Sequence, residues 1–152
     1  TTSLYATGIV GVLLLCVIYQ IAKHYLPRSL SAIGSITLSS SLLFQYYTKT
    51  HIIFSSFFFA LGVLLYLQSI TAKDQSRKLF LSGLSMGAGI SCYYNLEIYI
   101  PALLLPEIAL WRHTGKLQFR KRSLHFIGGA ALIPLCLDLY AITYWVVLGR
   151  FC

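Results

Sequence analysis

Acidic residues are scarce: the 152 residues hold only Asp74, Glu97, Glu107 and Asp138, against twelve Lys and Arg. Charged residues of both signs make up 11% of the chain, less than half of the roughly 25% usual for a soluble domain. So few ionisable groups cannot cover a water-facing surface, which excludes a soluble domain and leaves lipid to cover most of the chain. Cysteine spacing of the metal-binding kind is absent too. Cys16, Cys92 and Cys136 stand inside apolar runs and Cys152 is the last residue, with no C-x-x-C pair and no disulfide framework. They read as small apolar packing residues. Methionine occurs once, at Met86, and no basic segment precedes the first apolar run after Thr1. A new chain or a signal peptide begins otherwise, so a processed or partial chain is expected. There is no internal repeat, low-complexity linker or second domain.

What is abundant is apolar residues, 57% of the chain, with 14% aromatic, gathered in runs that match the ~20 helical residues needed to cross a bilayer. The net charge of +8 does not point to nucleic acid. Its Lys and Arg sit in short clusters beside apolar runs, where anionic lipid head groups attract them. The run 4–21 ends at Lys23, His24, Tyr25 and Arg28, with Pro27 as a stop. The run 29–47 is less apolar. Its Ser31, Ser35 and Ser39 recur every four residues and form a small-residue stripe for close helix approach, which predicts a helix buried among others. The run 52–70 contains Phe57, Phe58 and Phe59.

The stretch from Leu79 to Trp111 is too long for one upright span and is interrupted by Asn95, Glu97, Pro101 and Pro106. Charge decides how to divide it. Two short spans, 79–93 and 97–111, put Lys23, Arg28, Lys73, Arg77, Lys78, Arg112, Lys116, Arg120, Lys121 and Arg122 on one face and only Lys49 and Arg150 on the other. A single span would divide the cations evenly and erase the orientation signal. With a last span at 126–149 and a basic amphipathic segment from His113 to His125 at the interface, residues 1–152 are expected to form one all-α polytopic membrane helical bundle. It has about six spans, two of them short, with the basic loops cytoplasmic.

This topology gathers Tyr46, Tyr47, Lys49 and His51 on the far face with Tyr93, Tyr94, Asn95, Glu97 and Tyr99. A backbone break at membrane depth requires protein or a water-filled cavity to satisfy its amides. An outward-facing cavity is therefore the expected place for function, with Lys49, His51, Tyr93, Tyr94, Asn95 and Glu97 as candidate substrate-binding residues. The competing reading is an aromatic belt with ordinary polar turns.

The segment LLFQYYTKTHIIFSSFF, Leu42 to Phe58, resembles a junction in the GT-C superfamily of polyprenyl-phosphate-sugar glycosyltransferases, which includes protein mannosyltransferases and lipid A aminoarabinose transferases. There a small-residue helix ends in an aromatic pair, a polar turn follows and a Phe- and Leu-rich helix begins. The segment Leu79 to Trp111, LFLSGLSMGAGISCYYNLEIYIPALLLPEIALW, is similar to the next family element, a Gly-rich short helix, a polar break and a Leu-Pro helix. Gly83, Gly87 and Ser91 carry its small-residue spacing. Two positions depart from the pattern: His51 stands where many members have an acid, and Cys92 and Tyr93 stand where many have Lys or Arg.

The resemblance implies a membrane glycosyltransferase module that uses a polyprenyl-phosphate sugar on the extracytoplasmic side. It also implies an acid-bearing outer loop that precedes these helices in the family. Without that loop the module is expected to be incomplete or inactive as it stands. No catalytic residue is assigned, and no cofactor is expected from these residues, a divalent metal being left to the complete protein. Glu97 is the acid best placed for ligand contact, the alternative being a structural pairing with Lys49 or a backbone amide. Asp138 falls near the middle of the last run, where a carboxylate must be protonated, paired inside the bundle, or part of a polar pathway. The other reading of the chain is a non-catalytic accessory subunit that packs in a larger membrane complex and contacts lipids or pigments. His24, His51, His113 and His125 lie at span ends or in the interface, which argues against haem ligation within a bundle, and a single break argues against an inverted-repeat transporter. The expected partners are membrane lipids, a polyprenyl-phosphate sugar and other membrane subunits, and the expected location is the bacterial inner (cytoplasmic) membrane.

Overall fold

The segment from Thr2 to Ala22 is apolar around its whole circumference, and it forms helix α1, about 31 Å long at 1.5 Å per residue. Helix α1 gives way to a turn in which Leu26 N–H donates to the Ala22 carbonyl at 2.8 Å and His24 N–H to that of Ile21 at 3.0 Å. Pro27, at φ −56° and ψ 149°, has no N–H with which to extend the helix. Helix α2 (Arg28–Ser40) starts directly after it. Helix α3 spans Ile52–Thr71, α4 Gln75–Cys92 and α5 Lys116–Leu148. This computed structural model describes residues 2–41, 52–71, 74–92 and 116–148, with side chains over 5–41, 52–71, 74–92 and 121–146. The expected span 97–111 and the end of the expected span 29–47 lie outside the described residues.

Three segments are long and apolar enough to cross a membrane, Tyr5–Ala22, Ile52–Thr71 and Lys121–Val146. The described residues are therefore an all-helical membrane assembly with three such spans; six are not seen among them. The basic stretch and the last apolar run form one helix of 33 residues, about 50 Å long against a hydrocarbon core of about 30 Å. Its length alone takes part of α5 out of the apolar layer.

Packing runs α2 on α1, α1 on α3, α3 on α4 and α4 on α5. The core lies along α4, where Leu79, Ser82 and Met86 are fully buried, and it is completed by Ile53, Leu64 and Tyr66 of α3 and Phe126 of α5. The rings of Tyr66 and Phe126 meet edge to face, 6.3 Å apart at 77°, a favoured aromatic geometry. Helix α2 differs from expectation. Among the described residues it is not enclosed by other helices: only Ser31 is buried, while Leu30, Ile33 and Ile36 are exposed. Its hydroxyls bond back into their own helix, Ser31 to the Pro27 carbonyl at 3.1 Å and Ser35 to that of Ser31 at 2.9 Å. Local satisfaction of this kind removes the polar drive for a second helix to dock. The stripe instead borders a groove of about 360 Å³ between α1 and α2, lined by Val12, Cys16, Tyr19, Ser35, Ile36 and Ser39 among others.

Candidate functional site

Two seams fix the level of every residue in the α3–α4–α5 unit. Along the first, Ser55 Oγ donates to the Gly89 carbonyl and Ser82 Oγ to the Gly62 carbonyl, each at 2.7 Å. At the opposite end Lys78 Nζ donates to Gln68 Oε1 at 3.4 Å. The paired numbers run in opposite directions, so α3 and α4 are antiparallel. The same register sets Ile52 level with Cys92. Gly62 and Gly89 allow the approach: a methyl on Gly62 would press on Met86 and come within 3.1 Å of the Ser82 carbonyl, and one on Gly89 would come within 3.1 Å of the Ser55 carbonyl.

Along the second seam, a methyl group on Gly83 would collide with the Phe126 carbonyl, one on Gly87 with the Ala130 carbonyl and one on Gly129 with the Phe80 carbonyl. These numbers rise together, so α4 and α5 are parallel, with backbones in the close contact that small residues permit. Pro134 lies inside α5 and withholds the N–H that the Ala130 carbonyl would otherwise accept. That carbonyl is the one that lies against Gly87. The spacing of Gly83 and Gly87 noted in the sequence thus has a partner, and Ser91 Oγ turns back to the Gly87 carbonyl at 2.9 Å.

The unit consequently has two unlike ends. At one, Arg122 donates to Gln75 Oε1 at 3.1 Å, beside Lys78 and Gln68 and next to exposed Asp74, Arg77 and Lys121. At the other lie Ile52 and Cys92, the described residues to which the two expected site segments attach. The candidate residues themselves, Lys49, His51, Tyr93, Tyr94, Asn95 and Glu97, lie outside the described residues. Their attachment points share one end of the α3–α4 pair.

Asp138 has a position that its place in the sequence did not suggest. Continued past Ala130, the α4–α5 register brings Asp138 to about the level of Cys92, at the far end of the unit rather than midway along it. Its side chain is exposed, on the opposite side of α5 from the α4 seam. Of the three readings of Asp138, pairing inside the bundle is not seen among the described residues. What sequence reasoning missed is Tyr140 and Tyr144, whose rings stack with centroids 6.2 Å apart and 23° between planes. Their i, i+4 spacing was the available signal.

Residues 3–140 match the family described as dolichyl-phosphate-mannose-protein mannosyltransferase. The chain belongs to that family. No curated protein and no solved structure matches it. The mannosyltransferase family accounts for the apolar helices as a membrane glycosyltransferase-like module and implies a lipid-linked sugar donor. It agrees with the resemblance read from Leu42–Phe58 and Leu79–Trp111 at the level of the family, without selecting a subfamily. The matched range includes both attachment points, Ile52 and Cys92, and the whole of the two mannosyltransferase-family seams.

Proposed function

We propose that this chain is part of an integral-membrane glycosyltransferase that moves a sugar from a polyprenyl-phosphate donor to an acceptor hydroxyl on the extracytoplasmic side. The family match over residues 3–140 carries this reading. In the reaction the bond between the sugar's anomeric carbon and the phosphate oxygen breaks, the acceptor oxygen bonds to that carbon, and the acceptor proton passes to a base. The polyprenyl phosphate leaves with the bonding electrons. Cationic or hydrogen-bonding side chains that hold the departing phosphate lower the barrier, as does a carboxylate that receives the proton. Lys49 and His51 are assigned to the phosphate, Glu97 to the acceptor hydroxyl, and Tyr93, Tyr94 and Asn95 to the cavity wall. The charge pattern of ten cations against two supports the cytoplasmic placement of the basic end and hence the outward placement of this cavity.

The test is transfer of radiolabelled mannose from polyprenyl-phosphate mannose by membranes that carry the full-length protein, compared with membranes that lack it. Label appearing in an acceptor fraction, and only with the protein present, is the expected result. No transfer from any polyprenyl-phosphate sugar, with the protein recovered as a fixed component of a larger complex, would instead establish the accessory-subunit reading.

A further inference from the structure

The rows of α5 that dock on α4 continue past the level of Cys92, the last described residue of α4. Phe126 and Ala130 supply the carbonyls that lie against Gly83 and Gly87. Fourteen residues later in each row stand Tyr140 and Tyr144, and fourteen residues are close to four helical turns, so both rings return to the face that meets α4. With Asp138 about level with Cys92, Tyr140 stands two residues further along α5 and Tyr144 six. Tyr140 is therefore about 3 Å beyond the level of Cys92, and Tyr144 about 9 Å beyond it. Both side chains are exposed, 68% and 54%. Their stacked rings overhang the end of the unit at which Ile52 and Cys92 lie.

We propose that Tyr140 and Tyr144 form an aromatic platform that holds the sugar ring of the lipid-linked donor. A pyranose ring has a face of C–H groups that packs on an aromatic face, while the phenol hydroxyls remain available to sugar hydroxyls. A stacked pair at the end of the unit where Ile52 and Cys92 lie gives this contact without any rearrangement of the bundle. Trp145, 74% exposed, lies about 100–140° around the helix from the two tyrosines. It is turned off the side of α5 that meets α4, as is Asp138. A belt of aromatics at the membrane surface would use Trp145 as readily as the tyrosines; a sugar platform would not.

The inference rests on the glycosyltransferase reading, and binding separates the two. Full-length protein in nanodiscs is titrated with short-chain polyprenyl-phosphate mannose and with the same polyprenyl phosphate lacking the sugar. Wild type is expected to bind the sugar-bearing lipid at least fivefold more tightly. The double variant Y140A/Y144A, and the bulk-preserving Y140L/Y144L, are expected to bind the two lipids equally. Y140F/Y144F keeps most of the preference, and Trp145→Ala and Asp138→Asn keep all of it. If wild type binds neither lipid, the donor reading and the platform fall together. If wild type favours the sugar lipid and the leucine variant still does, the platform alone is wrong. Equal binding by wild type, or an equal loss in Trp145→Ala, overturns it as well.

Discussion

The hydroxyl of Ser55 donates a hydrogen bond to the carbonyl of Gly89 at 2.7 Å, joining α3 to α4 at a point where Ser55 is 1% exposed. Hydrogen bonds between membrane helices contribute about 0.6 kcal/mol on average. Ser55→Ala is therefore expected to lower unfolding stability in detergent by about 0.5–1 kcal/mol. Ser82→Ala, which breaks the equivalent bond to Gly62, is expected to do the same. The double variant should show the sum of the two, because the sites lie about two helical turns apart on α4 and share no partner. A double variant much worse than the sum would mean that the seam opens as a unit.

Gly128 and Gly129 are neighbours in α5 with opposite surroundings. A methyl on Gly128 meets nothing within 4 Å, whereas one on Gly129 collides with the Phe80 carbonyl and comes within 2.9 Å of Leu84 N. Gly128→Ala is expected to be neutral, or stabilising by up to about 1 kcal/mol through helix propensity. Gly129→Ala is expected to cost about 1–3 kcal/mol, because the backbones must separate. Thermal denaturation of the two variants side by side checks the contrast.

The two ends of α4 are expected on opposite sides of the membrane. In a background with Cys16, Cys136 and Cys152 changed to Ser, an impermeant thiol reagent added outside should label Cys92, while Arg77→Cys with Cys92 also changed to Ser should react only after the membrane is opened. Labelling of both from one side would show that α4 does not cross.

Glu97→Gln is expected to reduce sugar transfer at least tenfold, the usual scale for loss of a general base being about 10²–10⁴, with the unfolding midpoint unchanged. Lys49→Ala is expected to raise the KM for the lipid donor more than it lowers kcat, because a cation on the lipid phosphate also acts in the ground state. Steady-state kinetics with polyprenyl-phosphate mannose distinguish the two effects. A fall in stability that matches the fall in activity for Glu97→Gln would favour the structural pairing with Lys49.

Two small-residue stripes looked alike in the sequence and had different outcomes. Gly83 and Gly87 have no side chain to engage elsewhere, so their row is open to another backbone, and α5 occupies it. Ser31 and Ser35 bond to their own helix, and among the described residues their row borders only the groove with α1. Spacing shows that a close approach is possible but not which helix makes it. The stop at Pro27 was legible because proline acts on its own backbone. The level of Asp138 was not, because counting from Phe126 locates a residue along one helix, whereas its height in the assembly depends on the register that Gly83, Gly87 and Gly129 set. The candidate site residues lie outside the described residues, and what the structure adds is that Ile52 and Cys92 bring the attachment points of the two polar segments to one end.

Helix α4 holds the core of the unit, yet it is not among the segments apolar enough to cross a membrane by themselves. Among the described residues its Ser82 donates to α3, and its Gly83–Gly87 row lies against α5. Packing on α3 and α5 therefore contributes to holding α4 in place. During synthesis α3 emerges first and α5 last. Until α5 is made, α4 therefore has only one of the two described neighbours against which it packs.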